Sequence, residues 1–180
     1  MVPSDIDELD AMLGGGFPAG CFTNIVCENH QLRREVFDWM SNASHLAARI
    51  YSCPQEADSS LGRSSPTYLL YVLNSESAGK RREWWKENGA DIMSRLGLRA
   101  WVGFSGGALS WPEEHLSSLT LEVTRQGKNC LFEVLPGRYQ TSYSRVELSV
   151  PALQCNECKG TGISGEIFAT RCWKCGGRQS

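Results

Sequence analysis

Short apolar runs alternate with helical stripes along the first two thirds of the chain. Three short, mostly apolar runs predict strands that are buried on both faces of a sheet: residues 21–27, 68–73 and 100–104. Apolar positions at helical spacing predict three helices: residues 5–13, 32–50 and 80–96. Ser4 is the predicted N-cap of the first helix, and Gly89 is expected to interrupt the third. Strands that alternate with helices predict an α/β fold with a mainly parallel sheet.

Polar and alternating segments complete the pattern. Residues 52–66 are polar and contain two prolines and a glycine, so they predict an exposed loop. Residues 119–150 alternate apolar and polar positions, which is typical of strands with one buried face. A turn at Gln126 and Gly127 joins the first two of these strands, and a third follows at residues 144–150. The sequence therefore predicts an antiparallel hairpin and an added strand at one end of the sheet.

Composition and charge limit the class of protein. With 180 residues, 41% of them hydrophobic and 21% charged, the chain can bury one core and carry a small appendage. The formal net charge of -2 gives no general basic field, so nucleic-acid contact would need a local patch. No apolar run reaches about 18 residues, and the N-terminal segment MVPSDIDELD is acidic, unlike a signal peptide. These features predict an intracellular protein, cytoplasmic or nuclear, without a membrane partner.

Two segments carry a resemblance to a known superfamily. Residues 6–26, IDELDAMLGGGFPAGCFTNIV, resemble the opening of the RecA and KaiC superfamily, in which a leucine-aspartate helix and a glycine triplet lead into the first core strand. Residues 119–148 resemble the closing hairpin of the same superfamily. The resemblance implies a RecA-like core over residues 1–150, with a mainly parallel sheet and a terminal antiparallel hairpin. It also implies a homo- or hetero-oligomer, with another RecA-like family member as a candidate partner.

The phosphate-binding loop that this superfamily implies is altered. A Walker A loop, GxxxxGK[ST], wraps phosphates with backbone N–H groups, neutralises them with its lysine and holds magnesium with its hydroxyl. Residues 27–34 read CENHQLRR in its place, with Cys27 and Leu32 at the glycine positions. Arg33 stands at the lysine position and Arg34 at the hydroxyl position, where an arginine cannot ligate magnesium. The two arginines are interpreted either as a solvated helix start or as an anion contact at a helix N-terminus.

The strand that should hold magnesium is altered as well. A Walker B strand ends in an acidic residue, whereas the run at residues 68–73 is followed by Asn74 and Ser75. Glu76, the nearest carboxylate, comes one or two positions late. We therefore expect no ATP hydrolysis and assign no catalytic residue. A divergent nucleotide-binding ATPase is the alternative.

Four of the eight cysteines form two CxxC pairs: Cys155, Cys158, Cys172 and Cys175. Two such knuckles place four thiolates at tetrahedral positions about 2.3 Å from one zinc ion. A closed four-cysteine site has no open position for catalysis and stabilises a fold that is too small for its own core. The sequence therefore predicts a structural Zn2+ in a zinc-ribbon domain at residues 151–180. The remaining cysteines are expected to be buried thiols: Cys21, Cys27, Cys53 and Cys130.

Basic and aromatic residues surround the predicted zinc site. They are Lys159, Arg171, Trp173, Lys174 and Arg178. Cations beside aromatic rings suit single-stranded DNA, but zinc ribbons also dock on proteins, and the sequence leaves both interpretations open. Trp111 lies where RecA-like proteins carry a mobile DNA-binding loop, and it is interpreted either as a base-stacking residue or as a packing residue.

The combined features favour one function over two alternatives. The favoured hypothesis is a non-catalytic RecA-like accessory or subunit protein with a zinc ribbon, which acts by protein docking and DNA contact in recombination, repair or replication. The divergent ATPase is the first alternative. In the second alternative, the zinc domain is the functional module, a chaperone-like or regulatory adaptor that is attached to an inactive core. The motifs CKGTG and CGG favour it, because they resemble DnaJ-type zinc hairpins.

Overall fold

The computed structural model describes residues 1–44, 48–51, 53–59, 61, 67–74, 77–106, 111–135, 144–150, 163–164 and 170–171. Five helices lie within this part of the chain: α1 (Asp7–Met12), α2 (His30–Ala43), α3 (Pro54–Ser59), α4 (Ala78–Arg95) and α5 (Trp111–Leu116). The same residues form nine strands: β1 (Phe22–Cys27), β2 (Ala48–Tyr51), β3 (Leu69–Leu73), β4 (Ala100–Gly106), β5 (Ser117–Gln126), β6 (Asn129–Leu135), β7 (Arg145–Ser149), β8 (Ile163–Ser164) and β9 (Thr170–Arg171). Strands and helices alternate up to β5, as the sequence predicts.

A seven-stranded sheet forms the centre of the fold. Its strand order is β2-β3-β4-β1-β5-β6-β7. The strands from β2 to β5 are parallel to their neighbours, whereas β6 and β7 are added antiparallel. Gly127, with a φ of 62°, supplies the left-handed backbone that the turn between β5 and β6 requires. The predicted α/β class, with a mostly parallel sheet and terminal antiparallel strands, is confirmed.

Both faces of the parallel strands are buried by helices. The core on one face lies against α1 and α2 and includes Leu9, Ile25, Val36, Tyr71 and Phe104. The core on the other face lies against α3 and α4 and includes Phe22, Ala57, Leu70, Trp85 and Trp101. Burial on both sides explains why these strands read as apolar runs instead of alternating ones. Each large apolar side chain that is removed from water in this way contributes roughly 1.5–3 kcal/mol.

Helix α2 is shorter than the sequence predicts. It ends at Ala43, and Ile50 instead belongs to β2, where its side chain is 52% exposed. At the C-cap, the Ser44 hydroxyl donates a hydrogen bond of 2.5 Å to the carbonyl of Ser4 and lies 3.0 Å from the hydroxyl of Tyr71. These contacts connect the helix end to distant segments. The helical pattern through residue 50 was therefore wrong, because tertiary contacts end the helix at Ala43, about two turns early.

Other predicted details differ as well. The expected loop at residues 52–66 contains α3, which buries Pro54 and Ala57. Gly89 does not interrupt α4, and its missing side chain leaves room for Leu116 of α5, since a Cβ atom at Gly89 would lie 2.6 Å from Cδ1 of Leu116. The N-cap of α1 is Ile6, not Ser4, although the Ser4 hydroxyl accepts a 3.2 Å hydrogen bond from the Ile6 N–H. The first two differences involve packing of α3 and α4, which the local sequence pattern does not report.

The glycine triplet folds the N-terminus back on the chain. Gly16 has a φ of 115°, and a Cβ atom at this position would lie 2.4 Å from the carbonyl oxygen of Val2. Val2 and Phe17 exchange two backbone hydrogen bonds of 2.7 and 2.8 Å across the turn. Only glycine accommodates both the backbone conformation and the close approach. Within the described residues, no helix combines the length and apolarity that crossing a membrane requires.

Candidate functional site

The carboxyl ends of β1, β3 and β4 form the candidate site. From β1 the chain crosses to β2 at one edge of the sheet, whereas from β4 it crosses to β5 on the opposite side of β1. Connections that diverge from neighbouring parallel strands leave a crevice outside their carboxyl ends, and ligands of open α/β sheets bind there. The segments that the resemblance aligns with Walker A and Walker B both lie at this end of the sheet, because they follow β1 and β3.

The N-terminus of α2 is capped by the chain itself. The side-chain oxygen of Asn29 accepts a 2.9 Å hydrogen bond from the N–H of Leu32, which is otherwise an unpaired donor of the first helical turn. Leu32 packs in the core beside α2, and Cys27 is also fully buried there. Apolar side chains thus lie where the resemblance implies glycines. The backbone of this segment is organised as an ordinary capped helix start.

The two arginines in the first turns of α2, Arg33 and Arg34, have different environments. Arg33 is 9% exposed, and its Nη1 atom donates a 2.8 Å hydrogen bond to the main-chain carbonyl of Asn74, just beyond β3. Burial lowers the pKa of Arg33, and the charge of Arg81 lowers it further. The side chain of Arg34 is 68% exposed, and its Nε atom lies 3.9 Å from Oδ2 of Asp38. Arg33 connects α2 to the sheet, whereas Arg34 is a solvated surface residue.

Three buried polar side chains lie near the carboxyl ends of the strands, on the face of the sheet that α4 covers. Asn24 of β1, Ser105 of β4 and Asn74, which directly follows β3, are fully buried. Gly103 leaves room between them, since a Cβ atom there would lie 3.0 Å from Nδ2 of Asn74. Within the described residues, Oδ1 of Asn24, both amide atoms of Asn74 and the Ser105 hydroxyl have no hydrogen-bond partner. Buried polar groups of this kind are uncommon outside functional or hydrated sites.

A buried ion pair lies next to this polar group. Nε of Arg81 in α4 donates a 2.8 Å hydrogen bond to Oε1 of Glu113 in α5. The side chains are 4% and 0% exposed. The backbone carbonyl of Glu113 also accepts a 3.3 Å hydrogen bond from Nδ2 of Asn24. The pair therefore connects both helices to β1 at the carboxyl end of the sheet.

Most residues predicted to bind zinc or nucleic acid lie outside the described part of the chain. These are Cys155, Cys158, Lys159, Cys172, Trp173, Lys174, Cys175 and Arg178. The backbone of Arg171 pairs with Ile163 in the short β8-β9 hairpin, which lies between the two CxxC motifs in sequence. Elsewhere in the described segments, no cluster of His, Cys, Asp and Glu side chains could hold a metal ion. The zinc prediction therefore stays a prediction.

Two predictions about single residues are changed by the structure. Trp111 is the first residue of α5 instead of a loop residue, because the segment from Trp111 to Leu116 is helical; its side chain is not described. Of the four cysteines outside the CxxC motifs, all are free, but only Cys27 and Cys130 are buried. Burial raises the pKa of Cys27 to about 12 and the pKa of Cys130 to about 11. These two thiols are therefore unreactive at neutral pH.

The sequence analysis did not find the polar group beneath the strand ends. Asn24 had a usable signal, since an amide in the middle of the apolar strand FTNIVC is unusual. Arg81 and Glu113 are separated by 32 residues and had no such signal.

A scan against protein-family models finds no match to this chain. A search of curated proteins finds no relative either. The RecA-like interpretation therefore rests on the sequence motifs and on the α/β architecture, and it is developed below as a proposal.

Proposed function

We propose that this chain is a non-catalytic RecA-like accessory or subunit protein with a C-terminal zinc ribbon. It acts by docking on a partner protein in DNA recombination, repair or replication. The observation that supports the proposal is the position of Arg33, whose guanidinium group bonds to the carbonyl of Asn74 at the expected nucleotide site. A Walker lysine extends toward phosphates, whereas this arginine extends toward the protein's own sheet.

The groups around Arg33 also argue against nucleotide hydrolysis. Asn74 replaces the Walker B carboxylate and cannot supply the negative charge that a magnesium ion needs. Asn29 already caps the helix N-terminus at which phosphates would bind. Restoring a phosphate loop would require replacing buried side chains at Cys27 and Leu32. A divergent ATPase would have to use groups from outside this set.

The C-terminal unit is the proposed contact region. A structural zinc at Cys155, Cys158, Cys172 and Cys175 would hold residues 151–180 together, and the surrounding cations and Trp173 would face a partner. These residue types suit a protein surface or single-stranded DNA. Assembly with another subunit is part of the proposal, since a RecA-like chain without its own nucleotide depends on partners for activity.

Nucleotide titration by isothermal calorimetry tests the proposal. Wild-type protein is titrated with ATP, with and without magnesium, beside Arg33→Ala and the matched surface variant Arg34→Ala. We expect no saturable binding to any of the three proteins. Saturable magnesium-dependent binding that Arg33→Ala abolishes and Arg34→Ala retains would favour the divergent ATPase instead.

A further inference from the structure

Strand β7 lies at one edge of the seven-stranded sheet. It pairs with β6 in an unbroken antiparallel register from Arg145 to Ser149, and within the described residues no strand pairs with its other side. Its sequence, RVELS, contains no proline, lysine or bulge, features with which edge strands commonly avoid pairing with another chain. β7 therefore presents an open edge to which another strand can be added.

The pairing of β7 with β6 determines which main-chain groups are left at this edge. The N–H of Val134 donates a 2.8 Å hydrogen bond to the carbonyl of Ser144, just before β7. Residues that bond to one neighbouring strand alternate along an antiparallel strand, so Val146 and Leu148 also bond to β6. The N–H and C=O groups of the other residues of β7 point away from the sheet: Arg145, Glu147 and Ser149.

The same three residues have exposed side chains, on the face of β7 that points away from the core. Within the described residues Arg145 forms no ion pair, although it lies opposite Glu133 of β6 in the register. Oε1 of Glu147 accepts a 2.9 Å hydrogen bond from Nδ2 of Asn129, which leaves Oε2 for a cation. The open edge thus has a cation and a carboxylate on alternate residues of one strand.

These charges complement those of a second copy of the same strand. In a two-fold antiparallel pair, the outward residues of one β7 lie opposite the outward residues of the other. A register with Glu147 opposite its own copy would place two carboxylates directly against each other, which is destabilising. The next register places Arg145 opposite Glu147 of the partner subunit, and Glu147 opposite the partner subunit's Arg145. In that register both charged residues of β7 meet an opposite charge.

An apolar contact accompanies the ion pairs on the other face of the sheet. In the same register Val146 lies beside the two-fold axis and faces its own copy in a non-hydrogen-bonded pair, with the Cα atoms about 4.5 Å apart. Val146 packs against the core of its own subunit but is only partly buried there. Covering it with the partner subunit removes the remaining apolar area from water. The apolar face of the sheet therefore continues from one subunit into the next.

We propose that two copies of this chain associate through the edges of their β7 strands, in the register that pairs Arg145 with Glu147 of the partner subunit. Main-chain hydrogen bonds between the outward residues supply the affinity, and the ion pairs select the register. The two sheets become one continuous sheet with its two-fold axis at Val146. The interface names a second copy as a partner in the assembly that is part of the proposed function, and it rests on the proposed function in that respect.

Sedimentation velocity of the full chain over a concentration series tests the association. We expect a reversible dimer with a Kd in the micromolar range, since the edge of one short strand buries little area. Arg145→Glu and Glu147→Arg each place like charges opposite each other and should raise the Kd at least about tenfold. The matched control is Glu122→Arg, at an exposed residue of the interior strand β5 on the same face, which should leave the Kd unchanged.

An equimolar mixture of the two charge variants distinguishes charge pairing from misfolding. Arg145→Glu has only carboxylates at the edge and Glu147→Arg only guanidinium groups, so each repels its own copy and complements the other variant. The mixture should form a heterodimer, and the double variant Arg145→Glu, Glu147→Arg should restore the wild-type Kd. A monomeric wild-type chain, a mixture that stays monomeric, or a dimer that both charge variants leave intact would overturn the proposal.

Disulfide formation by Val146→Cys tests the register. The proposed register brings this residue opposite its own copy at a Cα separation of about 4.5 Å, within the range of about 4.4–6.8 Å that disulfides bridge. Mild oxidation should join two chains at position 146, as identified by mass spectrometry. Ser149→Cys, at a more exposed position in the same strand, should form no such link, and equal cross-linking of both variants would overturn the register. Nucleotide titration of the same samples tests the proposed function separately, because β7 contains none of the residues aligned with the Walker motifs.

Discussion

Nη1 of Arg33 lies 2.8 Å from the carbonyl oxygen of Asn74, 41 residues away in the chain. This hydrogen bond connects the first turn of α2 to the end of β3 across the carboxyl edge of the sheet. The Arg33 guanidinium group thereby stabilises the end of β3.

Replacing Arg33 should destabilise the core more than replacing its neighbour. Arg33→Ala removes a hydrogen bond from a charged donor and the buried stem of the side chain, and we expect the free energy of unfolding to fall by about 2 kcal/mol. Arg34→Ala affects an exposed, weakly paired side chain and should cost less than about 0.5 kcal/mol. Urea unfolding followed by tryptophan fluorescence measures both. Equal effects of the two variants would contradict the assigned role of Arg33.

The buried pair of Arg81 and Glu113 should respond strongly to loss of one partner. Arg81→Met leaves a buried carboxylate without its cation, so the free energy of unfolding should fall by about 3–5 kcal/mol. The double variant Arg81→Met, Glu113→Leu should recover most of this loss, because no uncompensated charge remains. The control is Asp38→Asn, which removes the exposed ion pair with Arg34. It should change the free energy of unfolding by less than about 0.5 kcal/mol. A double variant as unstable as Arg81→Met would show that the charge is not the cause.

Stability should fall in alkaline solution because of two buried thiols. Burial raises the pKa of Cys27 from 9.0 to about 12 and the pKa of Cys130 from 9.0 to about 11. Below pH 9 both thiols are protonated in folded and unfolded chains, and their contribution is intact. Above it the unfolded chain loses protons that the folded chain keeps, so the free energy of unfolding falls by about 1.4 kcal/mol per pH unit for each thiol.

Urea unfolding at several pH values between 8 and about 11 measures this slope. The double variant Cys27→Ala, Cys130→Ala should have a distinctly smaller slope. Some slope should remain, because burial also raises the pKa of Tyr71. The matched variant Cys21→Ala, at a partly exposed cysteine, should keep the wild-type slope. An unchanged slope in the double variant would rule out the thiols as the source.

Removal of zinc should unfold the C-terminal unit and spare the sheet. About thirty residues with few large apolar side chains cannot offset an ordering cost of roughly 1–2 kcal/mol per residue, whereas structural zinc contributes on the order of 10 kcal/mol. Elemental analysis should find one zinc per chain, and Cys172→Ser should abolish it. Hydrogen exchange should then increase in residues 151–180 alone. A metal-free protein with a protected C-terminal segment would contradict the zinc assignment.

The sequence by itself determined the class of the fold. Apolar runs such as residues 68–73 indicate burial on both faces, and the alternation around Gly127 indicates strands with one buried face, because successive side chains of a strand point to opposite faces of the sheet. Residues 27–34, CENHQLRR, can likewise be seen not to match GxxxxGK[ST] without reference to the structure. The two CxxC motifs predict zinc for the same reason, since their spacing is local.

Only the tertiary structure decided where α2 ends and how the strand ends are stabilised. The helical stripe continues past Ala43, but Ser44 contacts Ser4 and Tyr71, and a strand follows. The bond from Arg33 to Asn74 and the pair of Arg81 with Glu113 join residues 41 and 32 positions apart. Local periodicity describes which side of an element is apolar, but it contains no information about which distant polar group that element will meet. Pairings of this kind arise only when the chain closes around its core.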